Sequence, residues 1–248
     1  MKESIALNYK KVLELEKIDS KEIAYIVGFL SADAAIFNSK IEMSVAIDDI
    51  CILEFISNIL NCKLSIDNTY IKEKRRFPRA RINKKIKDIK KFIGGELKNE
   101  RHLPIVKEEF VRYLVLGFFD GDGNISWGIR KDRNRIWQQI SFTSSLSLLI
   151  TLQKILIKIG ISTSIHPKGN EKCFVLRFSN KNDVLKFCEW LYKDKSFIIL
   201  KRKFNVYRAL RRELGEFGET ANNSTIPSRA IDHSMEGVET SGWEIGPH

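Results

Sequence analysis

Two aspartates carry the clearest chemical signal in this 248-residue chain. Asp33 sits in the segment Ile26 to Ala34, IVGFLSADA, and Asp122 in the segment Val115 to Gly123, VLGFFDGDG; the aspartates, like Gly28 and Gly117, are 89 positions apart. A carboxylate is a hard oxygen donor. At the C-terminal end of one of two adjoining helices it faces the negative pole of its own helix and its neighbour's charge, each unfavourable by roughly 0.3 to 1 kcal/mol. A cation must compensate. Mg²⁺ typically takes one or two carboxylates and fills its shell with water and phosphate oxygens. Such an ion polarises a phosphodiester, activates water and stabilises the leaving oxygen. A lone DGDG also fits a turn or a helix cap, so it is the duplication that singles these residues out.

Each aspartate needs a helix to place it. Gly28 and Ala32, like Gly117 and Gly121, are four apart and share a helical face. Small residues at that spacing let two helices approach along their backbones, while Ile26, Phe29, Leu30, Leu116, Phe118 and Phe119 point into the core of each half. Asp19-Ser20-Lys21-Glu22 has the form of a capping box opening the first helix. The repeat continues beyond the motifs. Leu53 to Leu60 resembles Leu149 to Leu156, and Asp88 to Phe92 resembles Asp183 to Phe187, with offsets of 96 and 95. Alternating apolar and polar residues predict strands in Ala35 to Ile47 and Asn124 to Thr143, then helices over Asp49 to Leu60 and Leu146 to Ile159. A second strand pair and a closing helix complete each copy. The fold class is therefore α+β, two pseudo-symmetric α-β-β-α-β-β-α repeats with antiparallel sheets.

Such sheets have helices on one face and leave the other open. Here the open face is basic: between Asn68 and Lys91 there are 11 Lys and Arg against two acids. Alternation sets Arg79 and Arg81 opposite Ala80 and Ile82, sets Ser126 and Arg130 opposite Ile125, Trp127 and Ile129, and sets Arg177 opposite Leu176 and Phe178. The same faces are expected to offer Lys40, Ser44, Lys72, Lys74, Arg76, Arg133, Arg135, Gln139 and Ser141. A two-stranded ribbon of this kind fits the major groove of B-DNA. Charge agrees. The chain carries a net +11, and because Gly215 to His248 holds one Arg and six acids, the rest carries +16, a balance that points to a polyanionic partner. No segment has the roughly 18 continuous apolar residues of a membrane span. The N-terminus does not read as a signal or transit peptide. Cys51, Cys62, Cys173 and Cys188 lack zinc-site spacing and read as buried thiols in a reducing compartment, and His102, His166, His233 and His248 are scattered.

With these residues in place, the pair IVGFLSADA and VLGFFDGDG resembles the two signature motifs of a monomeric LAGLIDADG homing endonuclease, over about Asp19 to Leu214. The resemblance implies a saddle of two sheets over double-stranded DNA with a long, asymmetric target site. It implies Mg²⁺-dependent cleavage of both strands, with Asp33 and Asp122 as metal ligands. It further implies a basic residue near each site, for which Lys201 and Lys98 are the candidates. The first motif departs from the family pattern at Ser31, where an acid is usual, and at Ala34, where a glycine would follow. Ile47 and Ser144 stand where glutamine-like residues are frequent. The expected organisation is a peripheral N-terminal helix over 1–17, repeats over 18–104 and 105–214, and a disordered acidic tail over 215–248. A maturase acting on its host intron RNA is the alternative the same fold admits. The expected location is the cytoplasm of a prokaryote or phage host, or an organelle matrix.

Overall fold

The computed structural model describes residues 13–14, 17–37, 40–67, 71–72, 75–76, 79–87, 90–95, 97–130, 132 and 135–220. In chain order the elements are β1 (Leu13–Glu14), α1 (Lys21–Asp33), β2 (Ala35–Phe37), β3 (Lys40–Ala46), α2 (Ile50–Leu60), β4 (Leu64–Asp67), β5 (Ile71–Lys72), β6 (Arg75–Arg76), β7 (Arg79–Lys87) and α3 (Lys90–Ile93). The second half follows with α4 (Glu108–Asp122), β8 (Gly123–Arg130), β9 (Arg135–Ser144), α5 (Leu146–Lys158), β10 (Ser164–Lys168), β11 (Asn170–Phe178), α6 (Lys181–Leu191) and α7 (Lys201–Thr220). The expected order is therefore written twice. The second sheet runs β10-β11-β9-β8, and the first has the matching path β4-β7-β3-β2.

Three details differ from the sequence reading. Leu13–Glu14 is a strand that pairs in parallel with Ile86 and Lys87, so where a peripheral helix is expected the described residues extend the first sheet. Residues 1–12 lie outside the described residues. α7 runs to Thr220, so the first residues of the proposed tail are helical, and 221–248 lie outside the described residues. Among the described residues the helix closing the first repeat spans four, Lys90–Ile93, against 11 in α6.

Both motif helices are buried on nearly every side, because each packs on its own sheet and on the other helix. Ala24 to Ala32 of α1 and Tyr113 to Asp120 of α4 are all buried. Ser20, not Asp19, caps α1, its hydroxyl accepting from the Ile23 amide at 3.2 Å; Glu22 is one residue too early to close a capping box. Behind the second sheet, Phe118, Phe119, Phe142 and Phe187 form an aromatic cluster with centroids 5.5 to 6.0 Å apart. Cys62 and Cys188 are buried as expected, whereas Cys51 and Cys173 are half-buried. No described helix is long and apolar enough to cross a membrane.

Candidate active site

The two aspartates meet because two glycines let α1 and α4 touch. A Cβ built on Gly28 would fall on the Leu114 carbonyl oxygen, and one on Gly117 would fall on that of Tyr25. Residues of rising number on one helix thus face residues of rising number on the other, and the helices are parallel. At their C-terminal ends a Cβ on Gly121 would overlap that of Ala32 and lie 3.5 Å from that of Asp33. Asp33 and Asp122, the last residues of their helices, end at the same place. Asp33 is exposed, while Asp122 is half-buried and accepts a hydrogen bond from the Ser144 hydroxyl at 3.1 Å. Ser144, at a position where a longer amide is frequent, still supplies a polar donor.

Each helix stops at the aspartate because the next residue turns extended. Ala34 and Gly123 both have φ −79°. Neither needs the left-handed region, so alanine at 34 carries no conformational cost there. Gly123 is required for another reason, since a Cβ there would fall on the Phe119 ring.

Beneath the carboxylates lie two buried cations that the sequence reading missed. Arg101, 3% exposed, donates from Nη1 to the Leu30 carbonyl at 3.2 Å. Lys203, 4% exposed, donates to the carbonyls of Phe119 and, at 3.0 Å, Asp120. Leu30 and Phe119 are equivalent positions in the two motifs, so each motif helix has its last-turn carbonyls gripped by one cation, where the helix dipole is negative. Burial pulls the Arg101 guanidinium below its ordinary value, and the Asp122 charge opposes the shift. Burial likewise pulls Lys203 down, to about 8, against the opposing pull of Asp120. A signal for Lys203 did exist: it is in helical phase with Tyr207, Leu210 and Leu214, which are buried. Arg101 lies in a connection without periodicity, and no sequence signal marks it.

The basic residues named from the motif pattern fare differently. Lys201 begins α7 with an exposed side chain, two positions before Lys203. Lys98 opens a short 3₁₀ turn, Lys98–Glu100, and its side chain lies outside the described ones.

Asp120 is the other buried charge. Its Oδ2 accepts from the Tyr25 hydroxyl of α1 at 2.8 Å, while its Oδ1 makes no hydrogen bond among the described residues. Burial raises its carboxyl to about 7, with Lys203 and the Tyr25 hydrogen bond pulling the other way. The equivalent Ser31 instead closes onto its own helix, donating to the Val27 carbonyl at 2.8 Å.

On the open sheet faces the expected alternation holds. One row across the second sheet reads Asn124, Ser141, Arg177 and Ser164, and the next pairs Ser126 with Gln139. Arg130 pairs with Arg135 at the hairpin end, both exposed. In the first sheet Ser44, Arg81 and Ser65 form a row, and exposed Lys40 faces Lys85. Arg79 and Arg81 are half-buried rather than projecting: Arg79 donates to the Ser44 carbonyl at 2.7 Å and Arg81 pairs with Glu42 at 3.4 Å. Lys72 and Arg76 lie on the short β5–β6 ribbon, their side chains outside the described ones. Lys74 and Arg133 lie outside the described residues.

Among the described residues no group of three or more His, Cys, Asp or Glu could hold a metal ion alone. Two hard carboxylates at two converging helix C-termini nevertheless suit a divalent ion that draws its remaining ligands from water and phosphate.

Comparison with known proteins follows the same lines. Residues 109–191 match the family model for a LAGLIDADG-like domain. No curated protein sequence matches significantly. Among solved structures, the I-SmaMI LAGLIDADG homing endonuclease bound to cleaved DNA is similar at TM-score 0.56 and 11% identity, over 85% of this chain and 94% of that one. The LAGLIDADG meganuclease I-AabMI bound to uncleaved DNA gives 0.55 and 13%, over 79% and 91%. I-GzeII in complex with its DNA target gives 0.52 and 13%, over 82% and 92%. At these identities the likeness is one of fold.

Proposed function

From a chain whose residues 109–191 are a LAGLIDADG-like domain and whose fold is that of the LAGLIDADG homing endonucleases, we propose a site-specific double-strand DNA endonuclease acting as a monomer. One observation carries this reading: a single chain supplies both motif helices, packs them in parallel through Gly28 and Gly117, and ends them together at Asp33 and Asp122. The seam that a second subunit would fill is already filled.

Asp33 and Asp122 would hold Mg²⁺, which supplies Lewis-acid polarisation of the scissile phosphate and a more acidic water. The protein's own part is positional. Arg101 and Lys203 fix the last turn of each motif helix, the Ser144 hydroxyl orients the Asp122 carboxylate, and the glycine seam sets the spacing between the two acids. The open faces present Ser126, Gln139, Ser141, Arg177 and the exposed Arg130–Arg135 pair on one side and Lys40 and Ser44 on the other, so the target is asymmetric. Base-edge contacts there discriminate by roughly 1 to 3 kcal/mol each.

The test is selection of cleaved duplexes from a randomised library in Mg²⁺, followed by cleavage of the selected duplex with and without chelator. A defined double-strand cut that chelator abolishes is the expected result; a library with no preferred cut overturns the reading.

A further inference from the structure

Two large aromatic side chains stand on the water-facing sides of the sheets, where the alternation otherwise places mainly polar residues. In β9 the buried Gln138, Ile140, Phe142 and Ser144 define the core side, so Trp137, 40% exposed, is on the open side with Gln139 and Ser141. In β2 the buried Ile36 leaves Phe37, 72% exposed, on the open side. A large apolar group held in water forgoes the favourable burial of its surface. On a reading surface it has one natural counterpart. In the major groove the thymine C5-methyl is the apolar feature among polar base edges.

The placing of Trp137 is specific. It is paired across the hairpin with Gly128, and a Cβ on that glycine would lie 2.8 Å from the indole Nε1 and 3.1 Å from Cε2 and Cζ2. The edge of the indole that carries Nε1 and Cζ2 therefore occupies the space above Gly128 in β8, the outer strand of the sheet. Any larger residue at 128 would lift it. With that edge seated, the exposed part of the ring offers apolar surface to a methyl group, and the polar neighbours Gln139 and Ser126 remain beside it for base edges.

Strand spacing gives the reach. Gly128 is six residues beyond Asp122 along β8, or roughly 20 Å at strand rise, which at 3.4 Å per base pair is roughly six base pairs from the site centre. Phe37, four residues beyond Asp33, reaches roughly four base pairs on the other side. We propose that Trp137, seated over Gly128, reads a thymine methyl roughly six base pairs from the cleavage centre in one half-site, and that Phe37 makes the corresponding contact nearer the centre in the other.

This rests on the DNA-cleavage reading, and its test separates the two. Duplexes are selected by binding from a randomised library, and each thymine of the selected duplex is then replaced singly by uracil, which removes the methyl alone. For the wild-type protein, uracil at the Trp137 position should weaken binding about fourfold, as loss of one buried methyl predicts. Trp137→Ala and Gly128→Ala should bind the thymine and uracil duplexes alike at that position while keeping the preferences of the other half-site, which also shows that they are folded. Phe37→Ala should lose discrimination only on its own side. Wild-type binding indifferent to uracil at both positions, or thymine preference retained in Trp137→Ala, overturns the aromatic reading and leaves the endonuclease intact. Selection of no preferred duplex removes both.

Discussion

At the end of α1, Asp33 is exposed, and the first hairpin hands over at Ile47, whose side chain has no polar atom to offer; at the end of α4, Asp122 is half-buried and receives the Ser144 hydroxyl. Two residues earlier the contrast repeats. Ser31 bonds to its own helix, whereas Asp120 reaches across the seam to Tyr25, whose counterpart in the second motif is Leu114. The seam is therefore symmetric in backbone and asymmetric in chemistry. What the two halves share, two close glycines and a cation gripping each helix end, is what brings the carboxylates together. What they do not share sets how each carboxylate is held.

The largest expected effect tests the shared part. Gly117→Val and Gly28→Val each force a side chain into a carbonyl of the opposite helix, so both should unfold the protein or cost more than about 3 kcal/mol, measured by urea denaturation. A mild effect in either would mean that the helices do not rely on this contact. By contrast Gly123→Ala, which meets Phe119, should cost about 1 to 3 kcal/mol, and Ala34→Gly about 1 kcal/mol or less.

The buried cations should then separate the halves. Lys203→Met strands the Asp120 carboxylate and should cost about 3 kcal/mol or more. Arg101→Met leaves Ser31 at the position equivalent to Asp120, and the Asp122 charge that it faces is half-buried, so it should cost less, about 1 to 2 kcal/mol. Equal losses would mean that the Asp120 charge is compensated elsewhere.

Asp120 sharpens the comparison through pH. Its carboxyl is raised by burial to about 7, against an unfolded value of about 3.9, so the folded state holds the proton more tightly. The associated stability is fully present below about pH 4 and is lost as pH rises through about 7. Asp120→Asn has no such proton, so the wild type should lose stability relative to this variant across that window, read from urea midpoints. A constant difference between the two would contradict a raised carboxyl.

The smallest effect concerns Ser144. Ser144→Ala removes the hydroxyl that bonds Asp122 and should slow cutting of one strand by about tenfold or less, the equivalent of about 1 kcal/mol for a hydrogen bond. Strand-resolved gels would show the second strand unchanged.

Much of this arrangement was legible from the residues. The 89-residue spacing gave the repeat, and the small residues four apart gave the seam, because both are local and periodic. The sheet rows followed from alternation, though Arg79 and Arg81 turn back onto their own sheet, through a carbonyl and Glu42 that alternation alone does not bring into view. The strand at Leu13–Glu14 depends on a partner more than 70 residues away and has no local signature. The two buried cations escape a reading of the sequence for a similar reason. Exposed Lys201 matches the motif pattern, while Lys203 stands in the apolar phase of α7, a signal that points to burial but not to the carbonyls it grips.

The most direct test of the account is strand-resolved cleavage of one selected duplex by Asp33→Asn, Asp122→Asn and the wild type in Mg²⁺. Each substitution removes one of two converging carboxylates without touching the sheet faces. Both variants should keep near wild-type binding and lose double-strand cleavage by at least about a thousandfold, a loss of about 4 kcal/mol in transition-state stabilisation. Unchanged double-strand cleavage by either variant would contradict a site built from one aspartate of each half.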